Sequence, residues 1–561
     1  IQSREPEKNT AFLYNARREI LFDDPYLNIP VKEGAGERLM SIYLDEEKVR
    51  EFLLELAPAA PDYWMFLDVS EWQGRTGVIE MAKIPESSKG LEMIIVNDSI
   101  KGFENLYSEP DRPQFHYTSR RGWHNDPNGL VYYEGEYHLF YQHNPLGWAW
   151  GNMTWGHAVS SDLVDWKELA PALYPDEMGM MFSGSGVIDW NNTTGFQAGT
   201  ENPMILIYTA AGGISRWSED KPFTQCIAYS HDRGRSFTKY EGNPVLNEIA
   251  EDNRDPKVIW YEPGKFWVMA LYLTENLFGL YTSQDMKSWN PIQEMEIEEG
   301  AECPDFFPMP LDGNPNNEKW VLTSANGRFL AGTFNGSRFT PETESTMSEY
   351  GMNYYAVQTY SDIPDSRRIQ FGWMAGSVFE GMPFNQQFSV ARELTLRTTP
   401  EGIRLFGNPV REIKSLHGEK QTWSDITLRP GDNLLSGLEG DLYHMLAEFD
   451  LRRNSASEFG FNLKGFEIRY HILDRKITAY RPTDEEMRQA DLIPENGKIK
   501  MEILLDIGSV ELYANDGLIP MTCFYLPEGE NDSCSIYARD GEVFLSSLEV
   551  YEMNSIWEQN E

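Results

Sequence analysis

The chain has 561 residues, 13% of them aromatic, and its 88 acidic against 48 basic side chains give a formal charge of −40. Such an acidic chain has no basic patch to hold phosphates, which excludes a nucleic-acid partner, and no apolar run is long enough to span a bilayer. The length calls for roughly two to four domains. Four scattered cysteines, Cys226, Cys303, Cys523 and Cys534, are too few for a zinc framework or a disulfide scaffold, and a Cys523–Cys534 pair and free thiols both remain open. The chain opens on Ile1 rather than Met, which raises the expectation of a removed export segment and of a secreted, periplasmic or cell-surface bacterial protein.

Short strands bounded by Gly, Pro, Asn and Asp run from end to end, so the expected class is all-β. Residues 1–110 carry strands such as "YWMFLDVSEW" and "GVIEMAKI" and form an N-terminal β-rich accessory domain. Within it "DEEKVREFLLELA" (45–57) is the one fair candidate for an amphipathic helix. Trp64 and Trp72 are its candidate exposed aromatics for polysaccharide; a packing module is the plainer reading.

Residues 111–405 repeat. "SSDLVDW", "SHDRGRSF" and "SQDMKSW" each follow a strand with Ser-x-Asp and then an aromatic. "HLFYQHNP", "MILIYTA", "FWVMALYL", "KWVLTSAN" and "RIQFGWMAG" recur as apolar strands. Repeats of this kind predict a five-bladed β-propeller. After a connector, "GNPVREIKSL" (407–416), alternating strands over 415–554 predict a β-sandwich.

The propeller register turns attention to three acids. "DPNG" at Asp126 read alone is turn chemistry, with Gly129 supplying positive φ. Yet Asp126, Asp255 and Glu302 each stand at the entry to a first strand of a repeat. First strands line a propeller's axis, so the three carboxylates are expected to converge at one end of it. Converging carboxylates bind a hard cation or do glycoside chemistry. Acids far apart in sequence and flanked by rings favour the second.

"WHNDPNG", "FSGS" (182–185), "RDP" and "EC", followed by "FGWM" (371–374) and "NPV" (408–410), resemble in order and spacing family 32 of the glycoside hydrolases, which holds invertases, inulinases and levanases. The resemblance runs from about Arg112 to the C-terminus, and more loosely into the first domain. It implies Asp126 as nucleophile, Glu302 as general acid/base and Asp255 as the stabiliser that binds the fructosyl hydroxyls. It places Asn125, Gln142 and Ser183 as polar contacts to the sugar, and Trp150, Phe182 and Trp373 as walls. Arg254 is expected to keep Asp255 ionised, and Glu302 would need a pKa on the order of 6. Cys303 reads as a small buried neighbour. His124 departs from the family pattern and either shifts the pH profile or fills space.

The resemblance implies a retaining hydrolase that removes terminal fructosyl units from levan or inulin, with fructo-oligosaccharides and sucrose as smaller substrates, as a monomer or homodimer. It implies no cofactor and no catalytic metal. Endo-cleavage and fructosyl transfer use the same acids; a non-catalytic fructan-binding protein would have no need of them.

Overall fold

The computed structural model describes residues 10–481, 487–527 and 533–557, and these fold almost wholly as strands, the only α-helix among them being the single turn Gly90–Met93. The N-terminal region packs a four-stranded sheet (Phe12–Leu21, Thr76–Pro85, Arg38–Leu44, Glu47–Leu54) and a three-stranded one (Tyr63–Asp68, Tyr26–Val31, Ile95–Asn97) around Phe22, Ile29, Met40, Phe52, Met65 and Met81. Leu146, from the following region, is buried in the same core.

The expected helix at 45–57 is instead the strand Glu47–Leu54, paired antiparallel with Arg38–Leu44. Its Glu, Lys and Leu content favours a helix, but a tight turn decides otherwise. Asp45 and Glu46 have φ of 51° and 71°, the two left-handed residues of a hairpin turn whose twist matches the strands. Trp72 is also a correction: only 5% exposed, it packs edge-on against Phe22 in this core. Trp64 is half-buried, with the Lys101 ammonium over its ring.

Between Gly122 and Pro409 five antiparallel sheets follow one another, and the first strand of each touches its neighbours in a closed ring: Gly122–Tyr133, Met180–Ile188, Arg254–Tyr261, Asp305–Pro310 and Tyr355–Thr359. This is the propeller. The five recurring apolar segments are the second strands of these sheets. The ring is closed by Phe384–Asn385, which pairs parallel with Gly122–Trp123. First strands approach so closely that a Cβ on Gly186 would stand 2.6 Å from the Gly129 carbonyl oxygen, which explains the small residues of "FSGSG". The Ser-x-Asp repeats are turns after third strands: Ser160, Ser230 and Ser283 each donate to the Asp two residues on.

Strand Gly402–Pro409 continues past residue 405, and a 3₁₀ segment, Arg411–Leu416, completes the connector. Beyond it a six-stranded and a five-stranded sheet share one core, forming the C-terminal β-sandwich. Cys523 and Cys534 are both buried there and are not bonded to each other. A buried charge network joins this sandwich to the propeller. Arg392 donates to Glu349 (2.5 Å) and Glu511 (3.1 Å), and His116 bridges Asp506 and Glu511, both at 2.8 Å.

Candidate active site

Each first strand delivers its functional side chain through an irregularity. Register shifts interrupt pairing between His124 and Pro127, between Phe182 and Gly184, between Arg254 and Lys257, and between Tyr355 and Gln358. Bulges re-aim side chains, and here they do so at Asp126, Ser183, Asp255 and Tyr355. In the remaining sheet Glu302 and Cys303, just before the strand, have φ of 33° and 37°, and Asp255 has φ of 62°. Non-glycine residues in that region cost on the order of 1–3 kcal/mol each, so the local backbone is held for placement rather than for stability.

Asp126 is gripped from two sides. The Ser183 hydroxyl donates to its Oδ2 at 2.6 Å and the Asn125 amide to its Oδ1 at 2.9 Å. The Trp123 indole in turn donates to Asn125 Oδ1 at 3.0 Å, which fixes the amide's orientation. Burial pushes the Asp126 carboxyl above the usual range, and the nearby Glu302 adds to this, while the Ser183 and Asn125 bonds oppose it.

Asp255 is buried, with its amide N–H donating to Thr209 Oγ1 (3.1 Å) and its Oδ2 accepting from the Cys303 amide (3.1 Å). The Cys303 thiol lies 3.4 Å from Asp255 Oδ2 and 3.9 Å from Asp126 Oδ2. Burial and the three surrounding acids push that thiol well up, so it stays protonated and acts as a donor. Cys303 is therefore the neighbour of both aspartates more than of Glu302.

The expected role of Arg254 is overturned in part. Its strong bond goes to Glu302 Oε1 (2.6 Å), and its Nε is 3.8 Å from Asp255 Oδ2. Burial outweighs the guanidinium, and with Glu302 and Asp126 also nearby the Asp255 carboxyl is pushed up to about 7. Glu302 Oε2 accepts from the Tyr355 hydroxyl at 2.7 Å. Its side chain, 33% exposed against 7% for Asp255, faces the open side of the cluster.

The remaining expected residues divide. Phe182 and Trp150 meet edge to face at one margin, with Trp150 half in solvent. Trp373 packs edge-on against Trp123 and Tyr355 and donates to Gln386, so it backs the site's support. Gln142 lies buried beneath, its amide nitrogen donating to the Met181 carbonyl at 2.7 Å. With its amide turned to satisfy its neighbours, Asn128 donates to Ser183 Oγ at 3.2 Å and accepts from Gln142 at 3.0 Å. His124 fills space: wholly buried against Phe388 and Tyr141, it is kept neutral by burial.

Tyr355, Trp123 and Asn128 were not expected. Trp123 and Asn128 stand inside the quoted "WHNDPNG", where attention went to the acid. Tyr355 opens the fifth first strand, the position equivalent to the acids, and the repeat register was the signal that could have found it.

A carboxyl gripped by two donors, a second on the open side and a third buried beside them supply the paired acids that a glycosidase uses. The Glycosyl hydrolases family 32 N-terminal domain model matches residues 116–409, and the family's C-terminal model matches 412–552. The chain belongs to glycoside hydrolase family 32. It is 40% identical over 494 residues to a levanase of Bacillus subtilis (strain 168), covering 81% of this chain and 72% of that one. An extracellular exo-inulinase of Aspergillus awamori is 28% identical over 538 residues, 84% of this chain and 99% of its own. The crystal structure of exo-inulinase from that species superposes with a TM-score of 0.74 at 27% identity, over 80% of this chain and all of that one. A fructofuranosidase from Schwanniomyces occidentalis complexed with fructose gives 0.72 at 28% identity, over 80% of this chain and 99% of that one.

Proposed function

We propose that the protein is an exo-acting, retaining β-fructosidase that releases terminal fructose from levan or inulin, and from fructo-oligosaccharides and sucrose. The observation that carries the hydrolase reading is the division of labour among the acids, with Asp126 held by two donors, Glu302 on the open side and Asp255 buried beside them; exo action is taken from the exo-inulinase relative. The relatives, a levanase and an exo-inulinase described as extracellular, support the substrate class and export from the cell.

The terminal fructosyl ring sits over Asp126 with its leaving group toward solvent, where Glu302 lies. Asp126 attacks C2 as the C2–O glycosidic bond breaks, and its electron pair passes to the leaving oxygen, which takes the Glu302 proton. Water then adds to C2, gives its proton to Glu302 and frees Asp126 with net retention. Asp255 binds ring hydroxyls and stabilises the positive charge developing at C2. Arg254 and Tyr355 hold the Glu302 carboxyl in line. Asn125, Ser183 and Gln142 complete the polar floor, and Trp150, Phe182 and Trp373 form or back the walls.

The test is a product time course from levan, inulin and sucrose, resolved by chain length and by anomer, beside Asp126→Asn. Fructose alone from the earliest points, released as the β-anomer and lost in the variant, fits the proposal. Early oligosaccharides would replace exo- with endo-cleavage, and folded protein inert on all three substrates would refute the assignment.

A further inference from the structure

A cavity of about 320 Å³ is walled on one side by the N-terminal sheet and on the other by the propeller. None of the three carboxylates lines it. Its walls are amphipathic: the Trp217 ring, Leu53 and Ile214 supply apolar surface, and Glu51 and Asn152 supply polar groups. Leu53 and Ile214 are 45% and 44% exposed, an uncovered apolar surface facing a cavity of ligand-binding size.

Two observations tie this cavity to a ligand and to the catalytic cluster. Glu51 has a side chain only 5% exposed; Lys48 engages its Oε2 at 2.5 Å, while its Oε1 has no hydrogen-bond partner. Lys48 and Glu51 thus form a fixed polar edge to the wall. The same Lys48 ammonium stands 5.2 Å from the Trp217 ring centroid, so Glu51, Lys48 and Trp217 form one chain across the domain boundary. Met180, also in the wall, is three residues, roughly 10 Å along a strand, from the Ser183 that grips Asp126. The loop bearing Trp150 is clasped to the N-terminal edge strand by Asn152, whose amide accepts from the Leu53 N–H (2.9 Å) and donates to its carbonyl (2.8 Å).

We propose that this cavity is a distal subsite for the fructan chain behind the residue being cleaved, with Trp217 packing on a sugar face and the polar part of the wall meeting its hydroxyl edges. A sugar offers that pairing of a C–H face with hydroxyl edges. The N-terminal domain is then part of the polymer-binding surface. The inference rests on the β-fructosidase reading above, and deepens it.

The test compares kcat/KM on long-chain levan and inulin with kcat/KM on sucrose, which offers a single residue beyond the fructose released, in the full chain and its variants. In Trp217→Ala the loss on one or both polymers should exceed the loss on sucrose by about tenfold, and Trp217→Phe should recover most of it. Equal losses on polymer and sucrose, or no loss on either, in folded Trp217→Ala and Trp217→Leu, would overturn the subsite and leave the β-fructosidase reading standing. Wild-type protein inert on sucrose and polymer alike would overturn both.

Discussion

Two buried clusters of acids in this molecule use the same residue types to opposite ends. At the joint between propeller and sandwich, Arg392 and His116 stand among Glu349, Glu511 and Asp506, and backbone N–H groups of residues 114–116, Val390 and Thr522 donate to the carboxylates. Glu511 is held down to about 2 against the burial that opposes it, and His116 is lifted to about 9 by its two carboxylates, while burial pushes Glu349 up. In the catalytic cluster three acids share one guanidinium, and Asp255 rises to about 7. Where donors and cations match the acids, the cluster is cement. Where they fall short, burial wins and a carboxyl is left titrating near neutrality, the kind of perturbed group that gathers at functional sites.

The contrast can be broken most sharply at Asp126. Asp126→Asn should abolish turnover while thermal unfolding stays at or above the wild-type temperature, measured side by side by calorimetry and fructose release. Glu302→Gln should lower kcat by about 10²–10⁴-fold, again with folding intact.

At the joint the expectation reverses. Arg392→Met leaves Glu349 buried without its cation and Glu511 with His116 alone, and should cost on the order of 3–5 kcal/mol in chemical denaturation, with kcat per folded molecule near wild type. Full loss of activity in folded Arg392→Met would mean the joint is more than cement.

A third comparison sets the two clusters against pH. The folded-state pKa of His116 is above its usual 6.5, so its contribution is complete below about 6.5 and is lost as pH rises through about 9. Asp255 works the other way from an ordinary paired carboxylate. Between 3.8 and about 7 the folded protein keeps a proton that the unfolded chain has released, so stability falls as pH rises across that window. Asp255→Asn should therefore stabilise the protein near pH 8, by about 1–3 kcal/mol, while stripping its activity. A stability curve for this variant parallel to wild type from pH 4 to 8 would contradict the titration. The smallest effect is expected from Tyr355→Phe, which keeps the ring against Trp373 and removes one donor to Glu302. We expect about a tenfold loss of kcat or less, measured as fructose release per folded molecule.

Much of this was legible in the chain because a propeller repeats. Register alone led to Asp126, Asp255 and Glu302 as residues at strand entries, and the second strands announced themselves as apolar runs. What stayed hidden depends on contacts between distant segments. Tyr355 carries no charge to draw the eye. The strand Glu47–Leu54 was masked by helix-forming residues and by an Asp-Glu turn without the glycine that usually marks a hairpin. Arg254 is beside Asp255 in sequence but bonds Glu302 from another sheet, and no local reading reports that choice. Trp217, Glu51 and Asn152 meet only where two domains touch.

The pairing of Phe384–Asn385 with Gly122–Trp123 bears on how activity is acquired during folding. That parallel contact joins segments very far apart in sequence, the kind of contact whose loop entropy makes folding slow. It also lies immediately before Asn125 and Asp126. A refolding chain can complete its local hairpins early and still lack a seated Asp126 until this pair forms. Return of fructose release should lag return of strand signal in refolding, so that the enzyme's own turnover becomes a clock for closure of the ring.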